Sequence, residues 1–175
     1  LRDQFRFFSD KRREIRDRVE RLLICFGGSD PGKLTPKVLQ VLNDLDLDSI
    51  QVLVVLGSAY SNRHAVEEKI RGRSEYSVVS SLEEMANALW NTDLALISGG
   101  TLMYEACAMG TPCIVLPQNT AQDREAGFCS QSGAIVNLGE YCTNLDREVE
   151  GAIRVTVDDY SLRQCLSVAA RKLID

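Results

Sequence analysis

Short apolar runs alternate with amphipathic helical stretches six times along these 175 residues, and that alternation leaves few folds open. The runs are residues 22–26, 50–56, 76–79, 94–97, 113–116 and 134–136. Leu22-Leu-Ile-Cys-Phe26 is apolar at every position, as expected of a strand buried on both faces. The stretches between carry helix signals. Thr35 is expected to cap a helix with Pro36 at its first position and Val38, Leu39, Leu42 and Leu45 on its apolar face. Val66 and Ile70 form the inner side of a helix over residues 61–71. Ser81-Leu-Glu-Glu84 reads as a capping box opening a helix with Leu82, Met85, Ala86 and Leu89 inside. Further helices are expected over 101–109, stopped by Gly110 and Pro112, and over 121–132, stopped at Gly133. Asn144 and Asp158 or Asp159 cap two closing helices. Six strands joined by helices imply a doubly wound parallel sheet covered on both faces, in the order 3-2-1-4-5-6.

Composition narrows the function classes. A hydrophobic content of 45% and a charged content of 26% suit one globular domain with a full core. A net charge of −5 argues against a nucleic-acid partner. No apolar run approaches the roughly 20 residues that span a bilayer. The charged, aromatic start does not read as a signal peptide. Six cysteines (Cys25, Cys107, Cys113, Cys129, Cys142, Cys165) and one histidine, His64, show no zinc-ligand spacing. The cysteines are expected to be reduced and the protein cytoplasmic, with no metal site and no catalytic triad. Residues 1–21 are rich in Arg with Phe5, Phe7 and Phe8 interleaved. Because acidic residues are mixed throughout, this stretch reads as a linker or N-terminal helix packing against another domain. The domain proper is expected to span 22–175.

Two glycine loops carry the functional reading. Ser98-Gly99-Gly100-Thr101 follows the fourth strand and opens a helix, so free amides at a positive dipole end face whatever the glycines admit. Thr101 and Glu105 share a helix face. The carboxylate sits about one turn behind, within reach of a ribose diol; the alternative is an ordinary βα turn with Glu105 solvated. Gly27-Gly28-Ser29-Asp30 follows the first strand. In the inferred order, strands one and four are neighbours, so both loops and both helix ends converge on one crevice, suited to a diphosphate. On this reading Gly99→Val blocks the approach of phosphate. The first loop misses a P-loop, because Leu34 stands where a magnesium-binding Ser or Thr is needed. Asn119 and Gln122 carry amides suited to sugar hydroxyls, or else cap a helix. Val79 and Ser80 end the third strand, where backbone groups can meet a base edge, or simply precede the capping box.

These residues resemble the C-terminal half of the GT-B glycosyltransferases. Ser98-Gly-Gly-Thr101, Glu105, Gly110, Pro112, Pro117 and Gln122 are similar to the UDP-sugar half of the MurG-like transferases. Phe26-Gly-Gly-Ser-Asp-Pro31 with Leu34-Thr35, Met85-Ala86, Asp93-Leu-Ala-Leu96 and Leu1-Arg-Asp-Gln-Phe-Arg6 are more similar to the PseG/SpsG-like group, whose PseG-type members release UDP from a diacetamido sugar nucleotide in pseudaminic acid synthesis. The resemblance implies a Rossmann-like α/β domain that binds UDP or a UDP-sugar without a cofactor. It places residues 98–105 on diphosphate and ribose, Glu105 on the ribose hydroxyls, the Gly27 to Asp30 loop along the cleft, and Asn119 and Gln122 near the sugar. The catalytic histidine of such enzymes lies in an N-terminal half. No catalytic residue is therefore expected here, the missing N-terminal domain is an expected partner, and the isolated chain is expected to be inactive. Transfer of the sugar to an acceptor, or a non-catalytic nucleotide-sugar-binding module, are the alternative readings.

Overall fold

A computed structural model of the chain describes residues 5, 8, 11–45, 47, 49–80, 84–140 and 144–174. The capping-box residues Ser81, Leu82 and Glu83, the thiol Cys142 and the Leu1–Arg6 motif apart from Phe5 lie outside the described residues. Six strands are present: β1 (Arg21–Cys25), β2 (Gln51–Leu56), β3 (Tyr76–Ser80), β4 (Leu94–Ile97), β5 (Cys113–Val115) and β6 (Val136–Asn137). Between and after them run α1 (Leu34–Asp44), α2 (Arg63–Lys69), α3 (Met85–Trp90), α4 (Thr101–Met109), α5 (Thr120–Gln131), α6 (Leu145–Asp158) and α7 (Tyr160–Ile174). All strand pairs are parallel, in the order β3-β2-β1-β4-β5-β6. The expected sheet is therefore the observed one, and β1 and β4 are neighbours in the register Leu23↔Ala95 and Cys25↔Ile97.

Alternate residues of each strand feed two cores. Leu22, Ile24, Val52, Val54, Leu94 and Leu96 pack with α1, Val66 of α2, and Val149 and Ile153 of α6. Leu23, Cys25, Ala95, Ile97, Cys113 and Val115 pack with α3, α4, Ala126 and Cys129 of α5, and Ala170 of α7. Cys25, Cys107, Cys113 and Cys129 are buried free thiols, whereas Cys165 is exposed. Burial pushes the Cys107 thiol up to about 12, which keeps it protonated and unreactive.

Some details differ from the sequence reading, among them β6, which is Val136–Asn137 rather than residues 134–136. Helix α1 begins at Leu34, not after Thr35; Lys33 takes the N-cap position at φ 51°, and Thr35 is buried in the first turn. Asn144 stands at the N-cap of α6 without a side-chain hydrogen bond, while Asp159 does cap α7, its Oδ1 accepting from the Leu162 amide at 2.8 Å.

The described residues of the basic N-terminal segment pack on this domain. Phe5 is fully buried, and Phe8 stacks on Trp90 with ring centroids 5.0 Å apart. Arg13 donates to the carbonyls of Leu89 and Thr92 and to the Thr111 hydroxyl. Burial pulls its guanidinium down to about 10, which leaves it charged at neutral pH. Arg16 pairs with Asp93 at 2.6 Å, and Asp93 also accepts the Glu20 and Arg21 amides at 2.9 Å. These contacts sit at the N-terminal ends of β1 and β4, leaving the opposite edge of the sheet for the glycine loops. Among the described residues, no helix is long and apolar enough to cross a membrane.

Candidate functional site

The C-terminal ends of β1 and β4 bring the two glycine loops into contact. A Cβ on Gly27 (φ 82°) would lie 3.8 Å from the Ser98 hydroxyl. Gly27, Gly28 and Ser29 are exposed, Ser98 and Gly99 are buried, and Thr101 is exposed at the head of α4. Helix α4 opens on Gly100, which offers no side-chain cap. The Met103 amide turns back to the Gly100 carbonyl at 2.9 Å, which leaves the amides of Thr101 and Leu102 without a side-chain cap at a positive dipole end.

The first loop ends differently from expectation. Asp30 is 4% exposed and points under its own loop. Its two carboxylate oxygens accept from the amides of Leu34 (2.9 Å) and Thr35 (2.8 Å). Two of the first N–H donors of α1 are thereby consumed internally, with a negative charge set against that dipole end. The convergence of two open helix ends reduces to one open end, that of α4, beside an exposed glycine loop. Tyr60 lies near this carboxylate; burial first, then the Asp30 charge, holds its phenol above the ordinary value.

Glu105 is 1% exposed, so it is not on a solvated helix face. It shares a face with Thr101, one turn back from the open end of α4. Beside it on the same helix, Tyr104 faces Glu125 of α5. Burial and the Glu125 carboxylate, to which it hydrogen-bonds, raise its phenol.

Asn119 and Gln122 belong to the loop after β5. Asn119 caps α5, its Oδ1 accepting from the Gln122 amide at 3.0 Å, so the helix-cap alternative is realised. Gln122 Oε1 accepts from the Gln118 amide at 3.0 Å. The Gln122 backbone also explains Gly99, where a Cβ would lie 2.8 Å from the Gln122 carbonyl oxygen. Gly99 is thus demanded by packing of α4 against α5, and Gly99→Val would disturb that packing before it met any ligand. Gly100 is open, its nearest neighbour being Gln122 Nε2 at 3.8 Å.

Val79 and Ser80 end β3 at the sheet edge, two strands from β1. Val79 is half-buried, and the Ser80 hydroxyl accepts from Arg63 Nη1 at 2.5 Å. They share the C-terminal edge with the glycine loops without touching them.

Two participants escaped the sequence reading. A Cβ on Gly57, just after β2, would lie 2.3 Å from both Cα and O of Gly28, so a third loop presses on the first. Its signal was a glycine directly following a strand. Gln118 binds the first loop as well, donating from Nε2 to the Phe26 carbonyl at 2.7 Å and accepting from the Gly32 amide at 3.1 Å. No local pattern marks it.

Comparison with known proteins places this geometry. The glycosyltransferase family 28 C-terminal domain matches residues 22–159. This chain belongs to that family. Among relatives of the family 28 domain, the spore coat polysaccharide biosynthesis protein SpsG of Bacillus subtilis (strain 168) is 31% identical over 155 residues, covering 88% of this chain and 46% of SpsG. The UDP-N-acetylglucosamine–N-acetylmuramyl-(pentapeptide) pyrophosphoryl-undecaprenol N-acetylglucosamine transferase of Clostridioides difficile (strain 630) is 29% identical over 116 residues, 65% of this chain and 28% of that protein. The crystal structure of Acinetobacter baumannii MurG superposes with a TM-score of 0.72 at 18% identity, over 96% of this chain and 48% of that one. The fold is that of the GT-B C-terminal half, and the chain spans less than half the length of these relatives.

Proposed function

We propose that this family 28 domain holds the UDP part of a UDP-sugar for a two-domain enzyme of surface polysaccharide synthesis. The observation that carries the reading is the uncapped N-terminus of α4, opening on Gly100 beside the exposed Gly27-Gly28-Ser29 loop. The Met103 amide already donates to the Gly100 carbonyl at 2.9 Å, so an anion at that end would meet the amides of Thr101 and Leu102, which no side chain caps. The diphosphate lies across Ser98, Gly99, Gly100 and Thr101, with Gly27, Gly28 and Ser29 along its flank. Asp30 and Gly99 support the site from beneath through the loop and helix contacts they make. Glu105 lies under the ribose. The base extends along the sheet edge towards Val79 and Ser80, about three inter-strand spacings from β4, or roughly 14 Å. Asn119 and Gln122 border the sugar side.

Charge building on the leaving diphosphate as the anomeric bond breaks would meet preorganised amides at α4. The group that activates water or acceptor belongs to an N-terminal domain that closes on the substrate. With water as acceptor the parent is a PseG-like hydrolase; the similarity to SpsG supports a role in polysaccharide biosynthesis. The match to the C. difficile transferase favours a second reading, transfer to an acceptor hydroxyl.

Calorimetric titration with UDP, ADP and CDP tests the site. Selective UDP binding without added magnesium is expected. Gly100→Ala should keep its stability within about 0.5 kcal/mol, since a Cβ there meets only an ordinary van der Waals contact with Gln122 Nε2 at 3.8 Å. It should also weaken UDP at least tenfold by standing between phosphate and backbone. Unchanged UDP affinity in Gly100→Ala would remove the cradle.

A further inference from the structure

The geometry points to Gln118 as a positioning residue that holds the glycine loop after β1 in place beside the N-terminus of α4. The inference rests on the diphosphate reading above and names the group that sets the shape of that site.

Gln118 lies in the loop after β5, whereas the loop it grips follows β1, and β4 runs between β1 and β5. Its side chain therefore spans the top of β4, above the strand that delivers Ser98 and Gly99. The amide group is used at both ends. Nε2 donates to the Phe26 carbonyl at 2.7 Å, and Oε1 accepts from the Gly32 amide at 3.1 Å. These two backbone groups bracket Gly27 to Pro31, so one side chain ties both ends of the exposed loop. The Gln118 backbone amide is in turn held by Gln122 Oε1 at 3.0 Å, and the Gln122 backbone abuts Gly99. A chain of contacts thus joins the loops after β1, β4 and β5.

The chemistry requires an amide. Phe26 offers only an acceptor there and Gly32 only a donor, so the residue between them must donate and accept at once. A carboxylate satisfies Gly32 and repels the Phe26 carbonyl; a thioether of similar length satisfies neither. Asp30 and the Ala59 amide, which donates to the Gly28 carbonyl at 3.1 Å, also restrain the loop, but losing Gln118 frees both of its ends next to two conformationally permissive glycines. An untied loop would have to be ordered by the ligand, and that cost would appear as lost affinity.

The test uses Gln118→Met and Gln118→Glu in the full chain. Hydrogen exchange of the Gly32 amide reads the clamp without any ligand, and titrations with UDP and with uridine read its consequence. Faster Gly32 exchange is expected in Gln118→Met, and a smaller change in Gln118→Glu, whose carboxylate still accepts from the Gly32 amide while losing the Phe26 carbonyl. UDP should bind about tenfold more weakly while uridine, which lacks the diphosphate, changes less than about twofold. Wild-type UDP affinity in Gln118→Met, or equal losses for UDP and uridine, would overturn the positioning role. Failure of the unsubstituted chain to bind UDP would instead sink the nucleotide reading, and this inference with it; the Gly32 exchange result would then describe a loop tie alone.

Discussion

At the scale of single residues, Glu105 is where the chemistry of the site is most exposed to test. A carboxylate with 1% exposure on an otherwise apolar helix is not there for solubility. It lies one turn behind the open end of α4, on the face of Thr101, which is where a ribose would follow its diphosphate. Glu105→Gln keeps the volume but removes the charge and one acceptor. UDP affinity is expected to fall about tenfold, while the 2′,3′-dideoxy analogue, which presents no diol, should lose less than about threefold. Equal losses for the two ligands would assign Glu105 to packing of α4 rather than to the ribose. Gly99 and Gly100 show why such distinctions need coordinates. In sequence they are two equivalent glycines; in the structure one is forced by the Gln122 carbonyl and the other is open.

At the scale of elements, α1 and α4 solve the same problem in opposite ways. Helix α4 leaves its first amides for a ligand; α1 satisfies two of its own through Asp30, four and five residues upstream of Leu34 and Thr35. Asp30 adopts φ 47°, a left-handed conformation that Asp and Asn tolerate better than Ala. Asp30→Ala therefore loses a double cap and gains backbone strain, while both amides belong to buried residues. A loss of roughly 2–4 kcal/mol in urea unfolding is expected, with less than half of that for Asp30→Asn. Equal stability of the Ala variant would return the cap to Thr35 and free Asp30 for the crevice. The strands and most helices were legible because apolar periodicity is a local property, and so was the adjacency of β1 and β4, which followed from the common strand order of doubly wound sheets. The Asp30 cap was not, since it reaches across a loop in an unusual backbone conformation instead of sitting next to the first helical residue. Gln118 was less legible still: its partners lie 86 and 92 residues away.

At the scale of the whole molecule, the two edges of the sheet are used for different ends. The C-terminal edge carries the glycine loops, and the N-terminal edge is closed by residues 11–20. The centre of that closure is Arg163 of α7, which is fully buried. Its guanidinium donates to the carbonyls of Thr156 (2.9 Å) and Val157 (2.6 Å) in the last turn of α6, and to those of Arg16 (3.1 Å) and Asp17 (2.7 Å) in the N-terminal segment. A cation at a helix C-terminus is favoured by the dipole, and the planar fork serves acceptors from two chain segments at once. Sequence alone suggested that the basic segment turns towards another domain. Among the contacts that bind it here is a buried arginine up to 147 residues further on, invisible to any local pattern. Arg163→Met fills most of the volume but abandons four buried or part-buried carbonyls. A loss of roughly 3 kcal/mol is expected in urea unfolding. Trypsin should then cut the native chain within residues 11–18 far faster than before. UDP affinity, measured where the variant is folded, should stay within about twofold, because the anchor and the glycine loops lie at opposite ends of the strands. A variant that retained its stability but lost UDP would mean that the two edges communicate through the sheet, and that the N-terminal segment belongs to the site.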